Sequence, residues 1–238
     1  MPTILSVWAH PDDEAFGPVG VLAQARAAGY RVVIITATHG ERGDVSPELE
    51  IDPEHLGSVR LEELHQACQA IGVDRSIVWD YPDGGLALAN ASELRDKIVE
   101  VLNAEQPEIV LTFGPDGIYG HPDHIAISMA TTQAFAQYMA LNPSSEQPRL
   151  YYQSVAPGSD RVINAASSGD FPDPLPATTI IDVSEFAETK RAALDAHATQ
   201  RHDWQQFLDN HDWFNTAYLH RVYPSFGLND QPETTLFA

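Results

Sequence analysis

The sequence predicts an α/β fold with a mostly parallel β-sheet flanked by helices and a smaller C-terminal α+β extension. Short apolar runs at Ile4–Trp8, Arg31–Thr36, Ser76–Trp79 and Ile109–Thr112 alternate with segments of helical periodicity, the pattern of a parallel sheet with crossover helices. The first and fourth runs each open into a turn rich in histidine and aspartate before the next helix begins. With 238 residues, 43% of them hydrophobic, the chain can bury one sizeable core. It reads as a single domain over 1–238, with a core to about residue 142 and an extension over 143–238 that shapes the pocket.

Each element has a local reason. Pro18 suits the first turn of a helix that runs towards Gly29, and the polar stretch Thr38–Asp44 leaves the second strand. Leu61, Leu64, Cys68 and Ile71 recur at helical spacing and Gly72 marks that helix's end. Tyr81–Gly85 has turn chemistry, and Leu94, Ile98, Val101 and Leu102 share one face of a helix that stops before Pro107. A glycine-rich loop, 113–121, enters a helix near Asp123 that runs towards Met139. Beyond Asn142 the pattern predicts strands at Leu150–Gln153 and Thr179–Ile181, an irregular Pro/Gly/Ser-rich segment over Ala156–Ala177, a helix capped by Ser184, and another capped by Asp203.

Composition excludes several classes of function. The formal net charge of -21, from 34 acidic and 13 basic residues, repels nucleic acid and anionic membrane surfaces. No window reaches the apolar length of a membrane span, and the N-terminus lacks the basic segment and apolar core of a signal peptide, so a cytoplasmic protein is expected. Cys68 is the sole cysteine, which rules out intrachain disulfides and fits a small core residue. A homo-oligomer is compatible with all of this.

The two turns carry the chemistry. In Ala9-His10-Pro11-Asp12-Asp13-Glu14, the three-residue offset brings His10 and Asp13 onto one cation while Asp12 projects elsewhere. Gly120-His121-Pro122-Asp123-His124 holds the equivalent place after the fourth strand, and in a sheet of order 3-2-1-4-5 the two turns face one another at the switch point. Pooled, His10, Asp13 and His124 make the two-histidine, one-carboxylate set of a catalytic zinc with a position left for water; ferrous iron accepts the same ligands. Asp12 is placed to take a proton from that water, His121 to stabilise an oxyanion or protonate a leaving amine, Asp123 to orient a histidine, and Glu14 to act outside the ligand set or at the helix start. The plainer alternative makes these residues helix caps, with His10 incidental. A nucleotide-binding module fits the βα alternation but lacks Gly-x-Gly-x-x-Gly and offers carboxylates where phosphate wants backbone amides. A non-catalytic metal or sugar sensor would not require Asp12.

These two motifs together resemble the LmbE-like, PIG-L-type zinc de-N-acetylases. Gly40-Glu41, Arg60 with Glu63, Pro82-Asp83-Gly84, Tyr119 and His197-Ala198-Thr199-Gln200 also look like family positions, so the resemblance runs over most of the chain. It implies a Rossmann-like fold and removal of an N-acetyl group from an N-acetylglucosamine-derived amino-sugar substrate by a metal-bound water. It assigns zinc to the residues matching His10, Asp13 and His124, the general base to Asp12 and assistance at the oxyanion or leaving group to His121. Arg60 and Asp83 would lie against the sugar or its aglycone and Tyr119 near the oxyanion; each also has a plainer role, in an ion pair, a turn or rim packing. The pathway and aglycone stay open among thiol-cofactor precursors, chitooligosaccharides, antibiotic precursors and other small amides. His197 and Gln200 read as packed or solvated residues and stand outside the expected site.

Overall fold

Ile4, Leu5, Val7 and Trp8 leave no face of their strand suited to water, and β1 (Thr3–Trp8) accordingly lies inside the sheet, buried along its whole length. The computed structural model describes residues 1–143, 148–158, 171–208, 210–227 and 230–237. β2 (Arg31–Thr38) and β4 (Ile109–Phe113) pair with β1 on its two sides, and β3 (Arg75–Tyr81) and β5 (Arg149–Gln153) extend the sheet beyond them, all parallel. The order β3-β2-β1-β4-β5 is the one the sequence predicts. It reverses between β1 and β4 and opens a crevice at their carboxyl ends.

The crossovers follow the sequence signals. The helix expected from Pro18 is preceded by a separate turn of helix, so that α1 (Asp13–Phe16) and α2 (Val19–Ala27) are distinct. α3 (Leu56–Ile71) buries Leu64, Cys68 and Ile71 and ends where Gly72 turns left-handed at φ +82°. Asn90 caps α4 (Ala91–Glu105) by accepting from the amides of Ser92 and Glu93. The glycine-rich loop contains the short α5 (Gly117–Gly120), and Pro122 starts α6 (Pro122–Leu141).

The extension continues the same sheet. β7 (Thr216–Tyr223) inserts between β5 and β6 (Thr179–Asp182) and runs antiparallel to both. The sequence reading has β6 and omits β7, although buried Ala217 and Leu219 alternate with half-buried neighbours along it. Ser184 does not cap α7 (Ala187–Ala196): it opens a 3-10 turn whose amide is held by Asp182. Asp203 likewise lies within α8 (Arg201–Trp204) instead of capping it, and α9 (His211–Asn215) leads into β7. Residues 159–170, the centre of the irregular stretch expected over Ala156–Ala177, lie outside the described residues. Among the described residues no helix is long and apolar enough to cross a membrane.

An ion-pair cluster ties α4 to the sheet at the end away from the crevice. Glu105, whose side chain is 8% exposed, accepts from Arg31 Nε at 3.1 Å and Arg75 Nη1 at 2.6 Å. Burial alone would raise its pKa, but the two arginines overturn this and hold it below the ordinary glutamate value of 4.5. A depressed folded-state pKa stabilises the fold above pH 4.5 and ceases to do so as pH falls through the folded value. Glu105→Gln is therefore expected to cost about 1–2 kcal/mol at neutral pH, with the gap to wild type narrowing below pH 4.5 in melting temperatures measured across pH.

Candidate active site

Asp13 is not a helix cap. Its Oδ2 accepts the amides of Ala9 at 3.1 Å and His10 at 2.8 Å, which locks the carboxylate beneath the turn that leaves β1. Asp12 occupies the first-cap position of α1 without a side-chain cap bond, in a left-handed conformation of φ 101° and ψ -29°. Such backbone is sparsely populated even for aspartate and costs on the order of 1–3 kcal/mol. The Asp12 carbonyl accepts from Ala15 and Phe16, and its carboxylate accepts from Arg60 Nη2 at 3.1 Å. Arg60 also donates to the carbonyls of Pro11 and Gly40. Gly40, at φ +64°, leaves room for this: a methyl group there would come within 2.4 Å of Arg60 Nη1.

The second turn is built by α5 and the start of α6. His121 Nδ1 accepts from the Asp123 amide at 3.1 Å, so His121 does cap α6, and the ring proton is left on Nε2. His124 stacks on Phe113, with centroids 3.9 Å apart, and donates from Nδ1 to the Gly117 carbonyl at 3.2 Å. Asp123, fully buried, accepts the amides of Gly84 at 2.8 Å and Leu86 at 3.0 Å and faces His10 Nε2 at 3.3 Å. Asp83 Oδ1 lies 3.1 Å from the same His10 nitrogen.

These bonds fix the tautomers. His10 gives its Nε2 proton to carboxylates and His124 its Nδ1 proton to a carbonyl, so the remaining nitrogen of each offers a lone pair. His10 Nδ1 and His124 Nε2 lie 3.3 Å apart, His124 Nε2 is 3.3 Å from Asp13 Oδ1, and His10 Nδ1 is 3.6 Å from Asp13 Oδ2. Tetrahedral bonds of about 2.0–2.1 Å place neighbouring ligand atoms roughly 3.3–3.4 Å apart, which the His10 Nδ1–His124 Nε2 and His124 Nε2–Asp13 Oδ1 separations match. Among the described residues, the groups whose donor atoms all lie close enough to share an ion are His10, His121 and His124, and His10, Asp83 and Asp123; Asp13 is in neither, its Oδ2 being taken up by backbone amides. In the second group the carboxylates face the His10 nitrogen that carries the proton, which suits them to orienting that ring.

Charge favours a cation here as well. Burial opposes charge on His10, yet Asp123, Asp83 and Asp13 raise its pKa to about 10, so that without a cation a second proton occupies Nδ1, and a bound metal would displace it to use that lone pair. Asp13 and Asp83 stay well below the usual carboxylate range despite burial, Asp13 through His124 and His10 and Asp83 chiefly through His10. Burial lifts Asp12 to about 7 against the pull of Arg60. Burial and the neighbouring His124 and His10 lower His121 to about 4.

The structure thus brings His10, Asp12, Asp13, His121, Asp123 and His124 into one cluster. Tyr119 packs its ring edge against His121 and His124, with centroids 5.8 and 5.3 Å away. Arg60 and Asp83, expected against the substrate, are 3% and 6% exposed and turned inward; Arg60 holds Asp12 from behind, and Asp83 contacts His10 and accepts from the Arg42 amide. Nor does Arg60 pair with Glu63, whose carboxylate takes the amide and hydroxyl of Thr199. A shallow cavity of about 440 Å³, bordered by Arg42, Tyr81, Asp83 and Asn90, opens beside Asp83. His197, set aside in the sequence reading, is fully buried with Nε2 2.6 Å from Glu14 Oε1. Its place among the family-like positions was the available signal. Glu41, which accepts the Asp83 amide, carried only the Gly40-Glu41 hint.

A family model described as PIG-L, GlcNAc-PI de-N-acetylase, matches residues 5–135. A 1D-myo-inositol 2-acetamido-2-deoxy-alpha-D-glucopyranoside deacetylase of Actinosynnema mirum is 34% identical over 233 residues, covering 86% of this chain and 82% of the relative. The Rhodococcus jostii protein of the same name is 35% identical, with 83% and 81% covered. Among solved structures, the N,N'-diacetylchitobiose deacetylase of Pyrococcus horikoshii superposes with a TM-score of 0.70 at 19% identity, covering 92% of this chain and 83% of that one. GalB, the 4-carboxy-2-hydroxymuconate hydratase of Pseudomonas putida KT2440, gives 0.72 at 20% identity, with 97% and 100% covered.

The donor geometry makes a direct prediction. His10→Ala, Asp13→Ala and His124→Ala are each expected to lose bound divalent metal after dialysis, by about 10-fold or more in affinity, while Asp12→Ala retains it; elemental analysis of the purified variants reads the difference.

Proposed function

Because the chain belongs to the PIG-L family of GlcNAc-PI de-N-acetylases, we propose that it is a metal-dependent amidohydrolase that removes the acetyl group from an N-acetylglucosamine-derived substrate. His10, Asp13 and His124 would hold the cation, which we take to be zinc. When bound, such an ion supplies Lewis acidity, polarising the amide carbonyl and lowering the pKa of a water. The observation that carries the reading is the separation of roles within one turn. Asp13 is fixed by backbone amides at the donor cluster, while its neighbour Asp12, in a left-handed backbone conformation, is held instead by Arg60.

The other steps belong to the side chains. Asp12, buried beside Asp13 and held by Arg60, is suited to accepting the proton of the attacking water and passing it to the departing amine. His121 is neutral near neutral pH, and its Nδ1 accepts the Asp123 amide, so Nε2–H is available as a donor to the oxyanion. Of the two roles the sequence leaves open for His121, the structure thus supports the oxyanion donor. Asp83 and Asp123 hold the ring of His10, and Arg60 keeps the Asp12 carboxylate in one orientation. The cavity beside Asp83 could receive part of the aglycone. The curated relatives make an inositol-linked N-acetylglucosamine the first substrate to test.

Acetate release should be measured on N-acetylglucosaminyl-inositol, N-acetylglucosaminyl-malate and diacetylchitobiose, with chelated and metal-restored enzyme. Turnover of at least one is expected, to be abolished by chelation and reduced by roughly 10²–10⁴-fold in Asp12→Ala. Absence of metal-dependent release across the panel would count decisively against the proposal.

A further inference from the structure

We propose that His197 is a positioning residue for Asp12, acting through Glu14 on the backbone that holds Asp12 in its left-handed conformation; this rests on the reading of Asp12 as the base. Asp12 is one of three described non-glycine residues with positive φ, with Gln106 and Ile118, and the one that lies in the turn after β1. A strained residue persists where its surroundings over-determine it. At Asp12 they do so from two directions.

The first is the peptide. The Asp12 amide donates to Glu14 Oε2 at 3.0 Å, and the other oxygen of Glu14 is 2.6 Å from His197 Nε2. Both Glu14 and His197 are fully buried, so a carboxylate that lost its histidine would be left away from water without that hydrogen-bond donor. It would turn to find other donors and release the Asp12 amide. The second direction is the side chain. Arg60 donates to Asp12 Oδ2, and one turn along the same helix Glu63 holds Thr199 by its amide at 2.8 Å and its hydroxyl at 2.6 Å. Both supports end on residues 197–199, just beyond α7. Trp204 Nε1 donates to the His197 carbonyl at 3.3 Å, and Gln200 Nε2 to the Asp44 carbonyl at 2.9 Å, which anchors this short segment. The C-terminal extension therefore sets the geometry of a residue from the first turn of the chain.

The test is a double-mutant cycle on the metal-loaded full chain, with kcat, KM and metal content measured for wild type, His197→Ala, Asp12→Asn and the double variant on the best substrate of the panel. His197→Ala is expected to lower kcat roughly 10–100-fold with KM within about twofold and metal content unchanged. In the Asp12→Asn background the same change is expected to cause no further loss, because its route runs through Asp12. His197→Gln, which keeps a side-chain N–H for Glu14, should recover part of the rate. Equal losses in both backgrounds, loss of metal, or wild-type kcat in His197→Ala would each overturn the proposal. Wild-type turnover in Asp12→Asn would instead remove the base reading itself. Should His197→Ala not fold, Glu14→Gln takes its place in the cycle: a kcat loss confined to the background with Asp12 intact is expected, and an undiminished kcat overturns the idea.

Discussion

A carboxylate with no access to water, on Asp123, joins the three segments from which the candidate site is made. It sits in the first turn of α6, takes the amides of Gly84 and Leu86 from the loop after β3, and faces His10 Nε2 in the turn after β1. A buried anion is tolerated only where donors replace its hydration, and here they come from parts of the chain far apart in sequence. Satisfying Asp123 therefore closes the β3 loop, brings Asp83 to His10 and fixes which nitrogen of His10 is free. One buried carboxylate thus sets the orientation of a histidine in another turn of the site.

How much of this could be read from the sequence follows from range. The five parallel strands and the two His/Asp turns were legible because their signals are local: apolar runs, a proline at a helix start, a three-residue offset within one turn. The facing of the two turns followed from strand order alone. The contacts of Arg60 with Asp12 and of Asp83 with His10 were not legible, because a motif gives a residue's neighbourhood but not the direction of its side chain. Arg60 turns inward because Gly40 and Gly43 leave space beneath the loop, a fact of tertiary packing. His197 was passed over since its partner Glu14 lies 183 residues away and a lone helical histidine has no periodic signature. β7 was missed because its half-buried polar positions outnumber the buried Ala217 and Leu219.

The fold by itself carries little chemical information. A hydratase and a deacetylase both superpose on this chain at similar levels, so the sheet is a frame that admits more than one reaction. What narrows the chemistry is the cluster of His10, Asp13, His121 and His124, with a second carboxylate, Asp12, one residue from Asp13 and held by Arg60. The strong negative charge is compatible with that arrangement because the carboxylates closest to the site are each engaged by a histidine, an arginine or backbone amides.

The insertion of β7 between β5 and β6 also constrains the order in which the molecule can be assembled. Thr179–Asp182 is made well before Thr216–Tyr223, yet the later strand is the one that links it to the rest of the sheet. On the ribosome the five parallel strands can be complete while β6 still waits for its neighbour to emerge. The segments that form the two histidine- and aspartate-bearing turns lie within the first 124 residues and can meet before β6 gains its partner strand. Thr179–Asp182 thus waits with its edge unpaired until Thr216–Tyr223 has been made, and the antiparallel end of the sheet closes after the parallel part is in place.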